Sequence, residues 1–182
     1  MKISIKDMAE VSMFAALMVV GAYIRIPLPF LPVTLQGFFC AFAGILLGSK
    51  LGLMSQLIYI IMGLAGLPVF TGGGGITYVL KPSFGYIIGF AIGAYIIGLV
   101  SEKIGTATLT KTIVSMYSGL IIIYAAGLLY AYIISRVYLG KPDTVLVSMS
   151  IVPFFIKDAI LFTIASVVVN RTIKLIRVAR AN

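Results

Sequence analysis

The 182-residue chain is 61% hydrophobic and only 10% charged, against about a quarter charged in an ordinary soluble domain. Fourteen Lys and Arg with five Asp and Glu cannot cover a globule of this size, whereas a bilayer solvates the apolar excess directly. With no histidine and a single Cys40, disulfide frameworks, zinc sites and most neutral-pH acid–base chemistry are excluded, so no enzyme is expected. The net charge of +9 does not point to nucleic acid, because the basic residues are scattered at the ends of apolar runs.

A membrane core about 30 Å thick takes roughly 20 apolar residues per helix. The first apolar run, residues 8–26, is expected to stay in the mature protein as a span, since no small-residue cleavage site precedes Pro27. It ends at the Pro27, Pro29 and Pro32 cluster, where lost donors and a restricted backbone stop a helix. A second run, 33–48, stops at Ser49 and Lys50; a third, 51–67, breaks at Gly66, Pro68 and the glycines 72–75. Pro82 can open a fourth, to about residue 100, from its first turn. Runs 113–137 and 145–169 complete the set, separated by the polar turn 140–143. The reading is an all-α integral membrane protein of six transmembrane helices in one domain, 1–182, with no internal repeat or linker.

Six spans put both termini on one side, and the basic residues choose it. With the N-terminus inside, the cytoplasmic side holds Lys2, Lys6, Lys50, Lys103, Lys111, Arg171, Lys174, Arg177 and Arg180; the other holds Arg25, Lys81, Arg136 and Lys141. Both termini are therefore expected in the cytoplasm of a cell-membrane protein.

Asp158 lies near the middle of the last run, where an aspartate costs about 2.5–3.5 kcal/mol on insertion scales and usually faces a cavity or a partner. Either an internal ion pair or a ligand contact accounts for it. Adjacent helical residues point about 100° apart, so Lys157 and Asp158 are expected to reach one cavity from neighbouring faces instead of pairing as i,i+4 residues do. Phe154, Phe155 and Phe162 would give that cavity aromatic walls.

The segment from Gly63 to Tyr78 holds four consecutive glycines, including Gly73 and Gly74, which cannot sustain a helix. Such backbone either connects spans at the surface or offers N–H groups to a ligand. No G-x-x-x-x-G-K-[ST] occurs in the chain, so it has no phosphate loop of its own. Thr34 and Gln36 can cap a helix or bond a ligand, and Tyr86 can anchor at the interface or stack on one. Ala9, Ser12 and Ala16 form a small-residue stripe that admits another helix, inside the bundle or from a partner.

Over nearly its full length the chain resembles the BioY family, the biotin-specific substrate-binding S components of ECF-type vitamin transporters. The resemblance rests on Pro32-Val-Thr34-Leu-Gln36, on Gly63-Leu-Ala-Gly66-Leu-Pro68-Val-Phe70 with its glycine run, on Pro82-Ser-Phe-Gly85-Tyr86 before Gly89-Phe90, and on Pro153-Phe154 ahead of Asp158. It implies a six-helix fold with a site near the extracellular side, high-affinity biotin binding, and uptake driven by a transmembrane coupling protein with two ATPase subunits. The family commonly has Gly-Pro-Thr where this chain reads Lys81-Pro82-Ser83, and a lysine three residues after the aspartate where Leu161 stands.

On this resemblance Asp158 accepts from a ureido N–H, while Phe154, Tyr86 and the glycine loop enclose the apolar middle of the ligand. Its carboxylate falls to Lys157, Lys81 or Arg25. No cofactor is implied, and Ala9, Ser12 and Ala16 become the partner surface. The alternative is an ion-coupled secondary transporter of a small anionic metabolite with Asp158 as coupling carboxylate.

Single cysteines replacing Lys2 and Lys141 in a Cys40→Ser background are expected to label from the cytoplasm and from outside, respectively, with membrane-impermeant maleimide. Labelling of both from one side overturns the six-span reading.

Overall fold

In the computed structural model, residues 4–26, 33–106, 108–138, 140 and 151–181 are described. The proline cluster 27–32, most of the 140–143 turn and the 145–150 start of the sixth run lie outside them, as does Lys2.

Helix α1 (Ile5–Tyr23) opens on a capping box. Ser4 Oγ accepts from Asp7 N at 3.1 Å, and the Asp7 carboxylate accepts from Ser4 N at 2.9 Å. Hydrogen bonding from Ser4 to the carboxylate, chiefly through the Ser4 backbone N–H, favours the ionised form and holds the Asp7 carboxyl below the usual carboxylate range. Past Tyr23 the chain extends, and β1 (Arg25–Ile26) pairs antiparallel with β2 (Val33–Thr34), setting Arg25 opposite Thr34. The first helix therefore stops short of residue 26, because Arg25 and Ile26 take their backbone partners from the second strand.

Helix α2 (Gln36–Leu64) is continuous in name only. Twenty-three residues of straight helix would separate Gln36 from Tyr59 by roughly 35 Å, yet Gln36 Nε2 donates to Tyr59 Oη at 2.8 Å. The chain reverses at Gly48, whose φ of 80° and ψ of −177° break the helix. A side chain is disfavoured at this φ, and a Cβ there would meet Glu102 Oε1 at 2.6 Å. Glu102 holds the turn: its Oε1 accepts from Ser49 N at 2.7 Å, and both carboxylate oxygens accept from Ser49 Oγ at 3.0 Å. A carboxylate on the free N–H groups of the second limb also suits the positive end of its dipole. The break falls beside the Ser49–Lys50 boundary expected from the sequence.

A 3-10 segment (Ile76–Leu80) follows the glycines. Helices α3 (Phe84–Ile104), α4 (Leu109–Val137) and α5 (Ile151–Ala181) complete the order. Gln36–Leu64, Phe84–Ile104 and Leu109–Val137 each hold an apolar stretch long enough to cross a bilayer; in the first, that length is divided between two limbs. Helix α3 lies between α2 and α4, α1 packs on α2, and α5 closes against α4 and α2. Met18, Cys40, Tyr59, Ile97, Met116, Leu120 and Phe162 meet in the core.

Helix α5 continues past Val169 to Ala181. Asp158 stands about two turns from the helix's first described residue.

Gly48→Ala is expected to destabilise the fold by about 1–3 kcal/mol, the usual cost of an imposed left-handed backbone. Thermal unfolding in detergent reads the loss, and an unchanged midpoint shows that the turn tolerates a side chain.

Candidate ligand-binding site

At the end of the bundle where α1 stops and α3 and α5 begin, a cavity encloses about 570 Å³ of empty space counted out to its mouth. Every element but α1 and β1 supplies its lining. Thr34 comes from β2, Gln36 and Gly37 from α2, Thr71 and Tyr78 from the connection between α2 and α3, and Tyr86 from α3. Ile123 and Tyr124 come from α4; Phe154, Lys157 and Asp158 come from α5. Six of the residues singled out in the sequence, Thr34, Gln36, Tyr86, Phe154, Lys157 and Asp158, share this one space.

Lys157 and Asp158 form an ion pair with side chains 24% and 16% exposed. The expectation that neighbours on a helix reach the cavity without pairing is corrected here: Cβ directions diverge, but the flexible lysine stem folds back far enough to bring its ammonium to Asp158 Oδ1. Lys157 Nζ also donates to the Thr34 carbonyl at 3.0 Å, tying α5 to β2. Asp158 Oδ2 accepts from Tyr124 Oη at 2.7 Å, whereas the buried Oδ1 meets only the Lys157 ammonium among the described residues. That oxygen faces Gly37, where a Cβ would stand 3.2 Å from it.

The neutral walls are wired separately. Gln36 receives Thr34 Oγ1 at 3.3 Å and passes a hydrogen bond to Tyr59, whose hydroxyl donates to the Val69 carbonyl at 3.1 Å. Thr71 Oγ1 and Tyr78 Oη bond at 3.2 Å. The Tyr86 and Tyr124 rings meet edge to face at 5.7 Å, and Tyr124 meets Phe155 in the same way at 5.2 Å. Phe155 lies outside the cavity lining, as does Phe162, which is buried in the core behind Gly37.

The glycine run is folded, not open. Phe70 and Gly73 exchange backbone hydrogen bonds at 3.0 and 3.1 Å, and Gly75 N donates to the Gly63 carbonyl at 2.7 Å. Gly73 and Gly74 do not line the cavity; their neighbours Thr71 and Tyr78 do. Lys81 is also outside it, with Nζ donating to the Gly72 carbonyl at 3.1 Å and lying 4.4 Å from the Tyr78 ring centre. Ala9, Ser12 and Ala16 are all exposed on α1, away from the core. Sequence reasoning missed Tyr124, Thr71 and Tyr78. A tyrosine within a long apolar helix carries no local mark that its hydroxyl meets a carboxylate on another helix.

The BioY family model matches residues 1–178. The chain belongs to the BioY family. A BioY relative from Lysinibacillus sphaericus, described as a probable biotin transporter, is 45% identical over 177 residues, covering 96% of this chain and 90% of its own. The biotin transporter BioY of Thermotoga maritima is 35% identical, covering 93% and 97%. Among solved structures, the crystal structure of the S-component for biotin from an ECF-type ABC transporter superposes with a TM-score of 0.80 at 28% identity, over 93% of this chain and 92% of that one.

The charged pair makes a stability prediction. Lys157→Met and Asp158→Asn are each expected to cost about 1–3 kcal/mol by stranding a partly buried partner, discounted for the solvent that reaches both groups. The double variant should lose about 1 kcal/mol less than the sum, read from thermal unfolding in detergent; strict additivity means the two charges are not coupled.

Proposed function

We propose that this protein is the membrane-embedded biotin-binding subunit of an ECF-type transporter, taking the vitamin at the cavity of Asp158 and Lys157. The observation that carries the reading is this contacting pair at a largely apolar, aromatic cavity in a BioY chain. A ureido ring offers an acceptor carbonyl flanked by N–H donors. Lys157 can donate to that carbonyl while Asp158 Oδ1, which meets only the Lys157 ammonium among the described residues, accepts from an N–H with its remaining lone pair, so one end of the ligand meets both charges. The thiophane ring and valeryl chain would lie along Phe154, Tyr86, Phe90 and Ile123. Gln36 and Thr34 act as wall struts through their own hydrogen bonds, and Gly73 and Gly74 contribute by shaping the connection that carries Thr71 and Tyr78. Lys81 secures the same connection at Gly72.

Six membrane passes are supported by the Gly48 reversal, which adds a limb to the five described helices. An even number with the basic residues distributed nine to four supports both termini in the cytoplasm and, with them, an extracellular opening for the cavity, which lies at the end away from the α1 N-terminus. Ala9, Ser12 and Ala16 present a small-residue surface on the outer face of α1. A transmembrane coupling protein can pack closely there, and a pair of ATPases would supply the energy that a chain without a phosphate loop cannot. The ion-coupled alternative is disfavoured because Asp158 is already neutralised by Lys157 and bonded by Tyr124.

Isothermal titration of the purified protein is expected to show biotin binding and no binding of other water-soluble vitamins. Asp158→Asn should weaken biotin by about 10- to 100-fold, the effect of stranding a buried hydrogen-bonding group; undiminished affinity in a folded variant removes Asp158 from the site. Ala16→Trp should leave that affinity intact and abolish ATP-dependent uptake, whereas undiminished uptake removes the stripe as the docking surface.

A further inference from the structure

The geometry points to Arg25 as the residue that recognises the anionic tail of the ligand at the cavity mouth, and so sets the preference for an ionised carboxylate over a neutral tail. The inference rests on the biotin reading and begins from the charge of the cavity. Lys157 and Asp158 are the only formally charged residues lining it among those described, and they are paired with each other. Their contact confines both to one end of a ligand whose ureido ring and carboxylate are held apart by an apolar ring and chain. A ligand with its ureido ring on Asp158 and Lys157 cannot also bring its carboxylate to Lys157, whose three donors then face Asp158, the Thr34 carbonyl and the ureido carbonyl. Lys81 is no better placed, since its nitrogen is directed at the Gly72 carbonyl and the Tyr78 ring.

Arg25 differs on each count. It is the strand partner of Thr34 in the antiparallel ribbon, and directly opposed residues in such a ribbon project from the same face. Thr34 lines the cavity and Arg25 does not, so the pairing sets the Arg25 side chain on the same face of the ribbon as that of Thr34, just outside the lining. The guanidinium is exposed and has no ion-pair partner among the described residues. Its planar fork matches a carboxylate bidentately, which a lysine cannot do. Partial exposure at the mouth limits the gain to that of a solvated, well-aligned pair, about tenfold in affinity.

The test measures dissociation constants of biotin and of biotinamide, whose carboxylate is replaced by a neutral primary amide, for the purified wild-type protein, Arg25→Met and Arg25→Lys. Wild type should bind biotin about tenfold more tightly than the amide. Arg25→Met should lose about that factor for biotin and nothing for the amide, which also shows that the variant is folded, and Arg25→Lys should recover part of the loss. Equal weakening of both ligands, no weakening of either, or a wild type indifferent to the amide overturns the role of Arg25 while the biotin site stands. A wild type that binds neither ligand overturns the biotin reading, and the inference with it.

Discussion

A lysine and an aspartate next to one another in an apolar helix must find partners within the protein, because lipid offers none, and the way Lys157 and Asp158 do so determines how the cavity end of the bundle is assembled. Lys157 neutralises Asp158 and reaches the Thr34 carbonyl on β2. Asp158 takes the Tyr124 hydroxyl from α4. Three chain segments far apart in sequence are thereby fixed around one point. The point keeps acceptor capacity, since Asp158 Oδ1 meets only the Lys157 ammonium among the described residues. An incompletely satisfied polar group in an otherwise satisfied network is where a polar ligand gains most.

The rest of the site depends on rigid supports that leave its polar groups few alternatives. Phe70 packs edge-on against Tyr59 at 5.3 Å and against the Tyr78 ring at 4.7 Å, anchoring the connection that carries Thr71. Tyr59 also terminates the Gln36 hydrogen-bond chain, so the second limb of α2 supports both the wall and its cover. This arrangement exists only because Gly48 reverses the chain and returns Tyr59 to the level of Gln36. At the other end of the bundle, Glu102 secures that reversal from α3. A preformed cavity of this kind lowers the ordering cost that otherwise consumes much of the binding energy of a mostly apolar ligand.

Helix α1 stands apart from this network. It contributes Val11, Phe14 and Met18 to the core, yet its Ala9, Ser12 and Ala16 face outward. At the cavity end it is tied by Tyr23, whose hydroxyl bonds the Pro68 carbonyl, and by Gly21, whose carbonyl accepts from Leu35 N at 3.1 Å. A helix that packs on the bundle by one side and shows small residues on the other can serve a partner without disturbing the ligand site.

Membrane residence, the position of most helices and the placing of Asp158 at a cavity were legible in the sequence, since apolar run length, proline and glycine breaks and the rarity of charge in lipid are local properties. The Gly48 break was foreshadowed by the Ser49–Lys50 boundary, and the motifs around Thr34, Tyr86 and Asp158 marked residues that do converge. Other contacts depend on the path of the chain. Lys157 meets Asp158 because a flexible stem overrides the direction of its Cβ, and it meets Thr34 only after folding brings together residues 123 positions apart. Tyr124 becomes a carboxylate partner, Lys81 turns away from the cavity and Arg25 comes to stand opposite Thr34 for the same reason. Composition and hydrophobic runs determined where this chain resides, because transfer free energies add residue by residue. The pairing of its few charged groups was decided only by tertiary structure, because that pairing depends on distances between segments that no local pattern records.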